Sequence, residues 1–297
     1  MRKNGLFARK FALKWVYKYC KISYMAKERS ETMKKFIIGA LCAVTLLINA
    51  GAANVKVDGE SFSGARLIDS VTYVPIRAFG NVMSDCEVVW DDDSKTASLS
   101  FEGRSLSAGI GEKYLESGGR YVYSGNENKI IDGSTYVPLR SIAKIFGAEI
   151  SWDSESKTAL VGRGGEVFAS ADEVYDANDL YWLSKIISAE SAGEPLEGKI
   201  AVGNVVMNRV RNEDYPESVY GVIFDEKGGV QFTPVANGTI YNEPTEESVM
   251  AAKICLEDYK LSADNILFFL NPQISTSTWI PDNRDFVMTI GRHDFYA

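Results

Sequence analysis

Glu190 stands where few carboxylates do. It lies in the run Ile186-Ile187-Ser188-Ala189-Glu190-Ser191-Ala192-Gly193-Glu194-Pro195, and Leu180, Leu183, Ile186 and Ile187 recur ahead of it at helical spacing. A helix is expected here, with Asn178 as N-cap and Asp179 at the positive end of its dipole. Glu190 continues the apolar stripe just before Gly193 and Pro195 break the helix. Burial penalises the charged form of a carboxyl and raises its pKa. A glutamic acid kept protonated near neutral pH can protonate a leaving oxygen. The plainer reading is a helix-end glutamate whose head reaches water, the ordinary state of the residue.

The elements that must hold Glu190 follow in order. Pro195 and Glu197 open a second amphipathic helix running to about Arg211, with Ile200, Val205, Val206, Met207 and Val210 inward. Gly198 and Gly203 each weaken such a helix by about 1 kcal/mol relative to Ala, so close approach of a neighbouring helix is the expected reason for them. Tyr215 to Phe224 reads as a turn into a short helix. The stretch Gln231-Phe232-Thr233-Pro234-Val235-Ala236-Asn237-Gly238 sets turn residues around polar side chains, as a cleft wall does. A further helix, about Glu246 to Tyr259, places Cys255 on its apolar face. The strand-like run 266–270 ends at Asn271-Pro272, followed by Trp279 and by Thr289-Ile290-Gly291-Arg292-His293-Asp294-Phe295. Gln231, Thr233 and Asn271 are candidates to hydrogen-bond a sugar, Trp279 to stack on one, and His293 to line the cleft. Each has a structural alternative as a satisfied polar or core group.

The 297 residues, 45% hydrophobic and 24% charged, suit two folded domains. Residues 1–32 are basic and unpatterned, and read as an extension upstream of a true start at Met33. Residues 33–52 then read as a signal peptide: Lys34 and Lys35, an apolar run from Phe36 to Ile48, and Ala50-Gly51-Ala52. That run is shorter than the ~20 residues of a spanning helix, and Cys42 inside it does not suit a lipoprotein cleavage site; an uncleaved anchor is the alternative. Removing 1–52 takes away a net +9 from a chain of net charge −8, leaving an exported protein of about −17. Nucleic acid is thereby disfavoured as a partner. Only Cys86 and Cys255 remain after such a cleavage, in different domains, so no disulfide framework is implied.

Between Val55 and Val161 the chain repeats itself. Thr72-Tyr73-Val74-Pro75-Ile76-Arg77 returns as Thr135-Tyr136-Val137-Pro138-Leu139-Arg140, and Val89-Trp90-Asp91 with Ser94-Lys95-Thr96-Ala97 returns as Ser151-Trp152-Asp153 with Ser156-Lys157-Thr158-Ala159. Each copy is predicted as strand, short helix opened by the proline, strand, turn, strand, and the copies should pack on each other. Tyr73, Tyr136, Trp90 and Trp152 are expected in the core and the repeat interface. This region, 53–162, resembles the copper amine oxidase N-terminal-like domain. Type II copper needs imidazole ligands, and the one histidine of the chain, His293, lies elsewhere, so neither copper nor any other metal or cofactor is expected. The resemblance implies a small α+β module that presents or tethers a partner domain. Residues 163–177 read as a linker, with Val167, Phe168, Val174 and Tyr175 laid against a domain surface.

From 178 to 297 the order Ala-Glu-x-x-Gly-Glu-Pro, Val-x-Asn-Arg-Val, Gln-Phe-Thr-Pro-Val, Phe-x-Asn-Pro, Trp and Thr-Ile-Gly-x-His-x-Phe resembles the SleB/CwlJ-type cell wall hydrolases, the spore cortex-lytic family. That resemblance implies an α+β two-domain protein whose second domain is mostly helical and lysozyme-like. It implies cleavage of the β-1,4 bond between N-acetylmuramic acid and N-acetylglucosamine in peptidoglycan, of spore cortex or vegetative wall. The family's catalytic glutamate falls on Glu190. Ala192 stands where members often carry Arg, which removes any substrate contact from that side chain.

Two-carboxylate glycosidases need a second Asp or Glu about 5–10 Å from the acid. Glu194, Asp282 and Asp285 are the available ones and none stands out; Glu194 is expected to cap the following helix. Lytic transglycosylases of similar fold use a single Glu, and that outcome is favoured over hydrolysis. The rival classes are a hydrolytic muramidase, a catalytically silent peptidoglycan-binding protein, and a cysteine peptidase using Cys255 and His293. The last fails on the apolar setting expected for Cys255, and metal-dependent amidase chemistry fails on the want of histidines.

Overall fold

The repeat decides the architecture of the first half. In the computed structural model, which describes residues 51–227, 229–261 and 263–297, strands Val71–Pro75 and Ser134–Pro138 pair antiparallel with Val74 opposite Val137. The two copies thus meet about a local two-fold between those valines. Each proline ends its strand and caps the helix that follows: Pro75 precedes α1 (Ile76–Met83) and Pro138 precedes α2 (Leu139–Ile145). Proline has no N–H for the ladder, and its fixed φ suits a helix start. Helix α1 buries Ile76, Phe79, Gly80 and Met83, and α2 buries Leu139, Ile142, Ala143 and Ile145.

After each helix comes a hairpin with one turn chemistry. Asp91 Oδ1 accepts from Asp93 N and Ser94 N, Asp153 Oδ1 accepts from Glu155 N and Ser156 N, and Lys95 and Lys157 take left-handed φ values of 53° and 50°. The first hairpin, Glu87–Asp91 with Thr96–Phe101, extends through Arg104–Gly109, Tyr114–Ser117 and Arg120–Tyr123 into a five-stranded sheet. The second, Glu149–Asp153 with Thr158–Gly162, joins Asn54–Val57 in parallel, and Glu60–Phe62 beyond it.

Tyr73 and Tyr136 are buried as expected, their hydroxyls donating to Glu127 O and Gly64 O, each at 3.1 Å. Trp90 and Trp152 correct the expectation of core tryptophans: they are 37% and 60% exposed. Both lie near the ends of edge strands, past the part of the strand that packs on the core.

The segment 163–177 folds onto the repeat module. Phe168 is buried under the Arg120 guanidinium, 3.9 Å from its ring centroid, and a capping box at Ser170 and Glu173 starts the single turn α3 (Ala171–Val174). Val167 and Val174 remain exposed.

The helical half starts with α4 (Ala177–Ser191), whose N-cap is Asp176 rather than Asn178; its carboxylate accepts from Asn178 N and Asp179 N at 2.9 and 3.0 Å. Beside it run α5 (Leu196–Val210), α6 (Val219–Ile223), α7 (Thr233–Asn237), α8 (Glu246–Leu256) and α9 (Trp279–Asn283). The cleft-wall stretch is therefore partly helical. A three-stranded sheet closes the chain, with His293–Tyr296 between Phe268–Leu270 and Phe286–Ile290. Helix α4 packs on α5 and α8. A Cβ on Gly203 would sit 2.6 Å from Cys255 Sγ and 2.8 Å from Ile187 Cδ1, so the α4–α5–α8 junction closes only over a glycine. Cys255 is core, 1% exposed. The α+β architecture, repeated module first and helices after, agrees with the sequence reading.

Both halves belong to one compact unit, Gly51–Ala297. Residues 1–50, which hold the expected extension and nearly all of the expected signal peptide, with Cys20 and Cys42, lie outside the described residues. Among the described residues no helix is long and apolar enough to cross a membrane.

Candidate active site

Glu190 occupies the last turn of α4, on the face of Leu183, Ile186 and Ile187, all fully buried. Its carboxyl is partly buried and takes no hydrogen bond among the described residues. Burial alone pushes it up to about 7, with no charged group contributing. Near neutral pH this side chain therefore holds a proton and can give it up, as a general acid must.

Several contacts fix the chain just beyond it. Ser191 Oγ donates to Ile187 O at 2.6 Å, and Glu194 N donates to Ser191 O at 2.9 Å, so the break folds back on the helix. Glu194 does not cap α5 as expected: Pro195 is the N-cap, with no side-chain capping bond. Its carboxylate instead turns away, is buried, and accepts Arg292 N at 2.8 Å from the turn between the last two strands. A buried carboxylate needs donors, and that turn supplies one. Gly291, at φ 59°, makes the approach possible, because a Cβ there would collide with the same carboxylate. Lys199, 1% exposed, donates to Glu194 O and to Glu247 Oε2, the latter at 2.6 Å. The Glu190 loop is thus tied to α5, α8 and the C-terminal hairpin.

The five candidate binding residues take distinct places. Gln231 donates its amide N–H groups to Lys227 O and Gly229 O at 3.1 and 2.9 Å, bracing its own loop. Thr233 opens α7, exposed, with its hydroxyl free among the described residues. Asn271 Oδ1 accepts Gln273 N at 3.0 Å in a turn. Trp279, 52% exposed, meets Phe268 edge-on at 6.1 Å and carries the Arg284 guanidinium 5.0 Å from its ring centroid. His293 is buried, 5.4 Å from Phe269 between ring centroids, with Nδ1 unpartnered; burial lowers its pKa, opposed by Glu194 and Asp294. The strand Phe268–Leu270 gathers these groups: Phe269 meets Phe232, next to Gln231 and Thr233, on one side and His293 on another. His293 then follows Arg292, the partner of Glu194.

Three features escaped the sequence reading. Arg209, 5% exposed, lies within 5.2–5.5 Å of the ring centroids of Tyr215, Phe232 and Phe268, donating Nε to Leu267 O. Glu197, in the first turn of α5, accepts from Lys113 Nζ at 2.6 Å and Tyr123 OH at 3.0 Å, both from the repeat module. Glu257, following α8, gathers Arg120 Nε and Nη2 at 2.6 and 2.9 Å, Lys144 Nζ at 2.8 Å and Tyr175 OH at 2.6 Å. In the sequence these carboxylates sit at helix ends like many others; only long-range partners distinguish them.

Residues 193–296 match the family model of the cell wall hydrolases, and residues 52–161 that of the copper amine oxidase N-terminal domain. A spore cortex-lytic enzyme of Oceanobacillus iheyensis is 27% identical over 266 residues, which span 72% of this chain and 95% of that protein. The spore cortex-lytic enzyme of Bacillus subtilis is 36% identical over 121 residues, 41% of this chain and 38% of that one. The solved catalytic domain of the germination-specific lytic transglycosylase SleB from Bacillus anthracis is 35% identical, covering 41% of this chain and 97% of that domain, with a TM-score of 0.38. The repeat module does not fit copper: its donor set lacks imidazole, since His293 lies in the C-terminal hairpin. The chain thus carries at 193–296 a cell wall hydrolase domain, of a kind that cleaves glycosidic bonds, and ahead of it at 52–161 a copper amine oxidase N-terminal-like module.

Proposed function

We propose that this enzyme cleaves the β-1,4 bond between N-acetylmuramic acid and N-acetylglucosamine in peptidoglycan by lytic transglycosylation, with Glu190 as sole acid and base. The observation that carries the reading is the isolation of Glu190: its carboxyl is partly buried and takes part in no hydrogen bond or ion pair among the described residues, and burial alone raises its pKa. A second carboxylate at retaining-enzyme distance would add a like-charge contribution. Glu194, the nearest in sequence, is committed to Arg292 N.

In the first half-reaction the Glu190 carboxylic acid gives its proton to the glycosidic oxygen as the C1–O4 bond breaks, releasing the N-acetylglucosamine 4-hydroxyl. The Glu190 carboxylate then takes the proton of the muramic acid 6-hydroxyl while O6 bonds to C1. This closes a 1,6-anhydro ring and restores the acid, with no water consumed. The intramolecular nucleophile gains effective concentration. Thr233 and Trp279 offer the free hydroxyl and aromatic face for sugar contacts, while Gln231, Asn271 and His293 shape the surrounding loops and strand.

Export to the envelope, where the substrate lies, follows from the expected leader at 33–52. Spore cortex is the first substrate to test, given the relatives named for it. The test is digestion of purified cortex and vegetative sacculi, with mass spectrometry of the released muropeptides. Products ending in 1,6-anhydromuramic acid, lost with Glu190→Gln, are expected. Reducing muramic ends would sink transglycosylation and leave a hydrolytic muramidase.

A further inference from the structure

Each copy of the repeat holds a groove between its helix and the strand that follows, and the two grooves differ in what surrounds them. In the second copy, Arg140, Lys144 and Ile150 line it together with Gly165 and Glu166 of the connecting segment. Lys144 reaches from there to Glu257 of the helical half, at 2.8 Å. That groove serves the internal joint. At the same repeat positions the first copy has Arg77, Asn81 and Val88, and its groove is bounded by Trp90 and by Ser134 and Thr135 of a hairpin, with no residue of the helical half in its lining. Its volume is about 450 Å³, within the ~300–1,000 Å³ of small-ligand sites.

The lining has a definite chemistry. Trp90 is fixed by its Nε1 donating to Asp92 Oδ1 at 2.9 Å, and leaves 37% of its surface open. The Arg77 guanidinium is exposed and makes a single long bond, Nη2 to Val88 O at 3.4 Å, with no carboxylate partner among the described residues. Asn81, Ser134 and Thr135 add an amide and two hydroxyls.

We infer that the groove of the first repeat copy is a glycan-binding site for the same wall polymer that Glu190 cleaves. The identity of the polymer rests on the reading under Proposed function. An open indole face stacks on the C–H face of a pyranose, and hydroxyl and amide groups pair with sugar hydroxyls and N-acetyl groups. A free guanidinium pairs with the carboxylates of the lactyl group or stem peptide. A second copy of this chain is a poorer occupant, since each copy freed of the expected leader would carry a net charge of about −17. Because groove and Glu190 share one compact unit, a strand held by the first raises the local concentration of polymer for the second.

The test uses the whole chain carrying Glu190→Gln, so that the polymer stays intact, in co-sedimentation with insoluble sacculi. Adding Trp90→Ala is expected to weaken retention about tenfold, the size of one good anchor; Trp90→Phe keeps most of it, and Arg77→Ala weakens it in a salt-sensitive way. Trp152→Ala, an exposed tryptophan outside either groove lining, leaves retention unchanged. In the Glu190 background, Trp90→Ala slows digestion of sacculi but leaves cleavage of short soluble glycan fragments at its normal rate. Unchanged retention by a folded Trp90→Ala protein overturns the inference while the cleavage reading stands. A chain that retains Trp90-dependent binding yet cleaves no peptidoglycan removes the cleavage reading and leaves the groove. Loss of self-association with Trp90→Ala in sedimentation velocity, at constant sacculus binding, makes the groove a self-contact and overturns the inference too.

Discussion

Arg120→Ala will uncouple the two halves of the chain at a cost of about 3 kcal/mol. The Arg120–Glu257 pair is bidentate, with side chains only 11% and 4% exposed. Removing one partner of a buried pair typically costs about 3–5 kcal/mol, because the other is left buried and unpaired. Lys144 and Tyr175 still reach Glu257, which puts the expected cost at the low end of that range. The carboxyl itself registers all three donors together. Burial pushes Glu257 up, but the hydrogen bonds from Arg120, Lys144 and Tyr175 outweigh it and hold the group at about 2 against an ordinary 4.5. A depressed carboxyl contributes stability that is complete above about pH 4.5 and is lost as the pH falls towards 2. That depression, the work of the three donors together, corresponds to about 3 kcal/mol. Urea unfolding followed by tryptophan fluorescence and by circular dichroism, at pH 7 and pH 3, tests this. The parent chain should unfold in one coincident transition at pH 7 and lose most of that 3 kcal/mol at pH 3. Arg120→Ala should start lower, with Tm down by about 6–12 °C, show a flatter pH dependence, and separate the transitions of the two halves. A cost under about 1 kcal/mol with the pH slope intact would refute the reasoning, since that is how a solvent-screened surface pair behaves.

Three further outcomes follow from the site and its supports. On the proposed mechanism catalysis starts from the protonated form of Glu190, held up at about 7 by burial, so kcat should be level below neutral and fall as the pH rises through about 7. A profile that keeps rising to pH 9 would exclude Glu190 as the acid. Gly203→Ala puts a Cβ 2.6 Å from Cys255 Sγ and 2.8 Å from Ile187 Cδ1; overpacking of about 1–3 kcal/mol, only partly offset by helix propensity, should lower the thermal midpoint. Cys255 is enclosed, and burial pushes its thiol far above the ordinary range, so iodoacetamide should label it only on unfolding; labelling of the native protein at the rate of a free thiol would contradict the packing of α4, α5 and α8.

Much was legible because the chain states it locally. The repeated Tyr-Val-Pro and Trp-Asp motifs announce two copies of one unit, and Pro75 and Pro138 mark the strand-to-helix change, since proline cannot donate to a ladder. The period of Leu183, Ile186 and Ile187 locates Glu190 on an apolar face, and burial there is what raises its pKa. Gly203 announces a close helix approach. These are properties of a residue and its neighbours within a few turns.

The tertiary structure decided what depends on distant partners. Trp90 and Trp152 read as core by their repetition, but the edges of two sheets leave them open to solvent. Glu194 reads as a cap of the next helix, yet a hairpin turn 98 residues later supplies its donor. Glu197, read only as opening a helix, and Glu257, which the sequence does not single out, turn out to join the halves of the chain. A carboxylate's role is set by which donors reach it and how much water is excluded, and both are fixed only when segments far apart in the chain pack together. Sequence alone thus determined the repeat, the helices and the place of the Glu190 carboxyl at the end of α4, because short-range sterics and periodicity encode them. Folding alone decided which charges are paired, which aromatics stay open and what the two halves share.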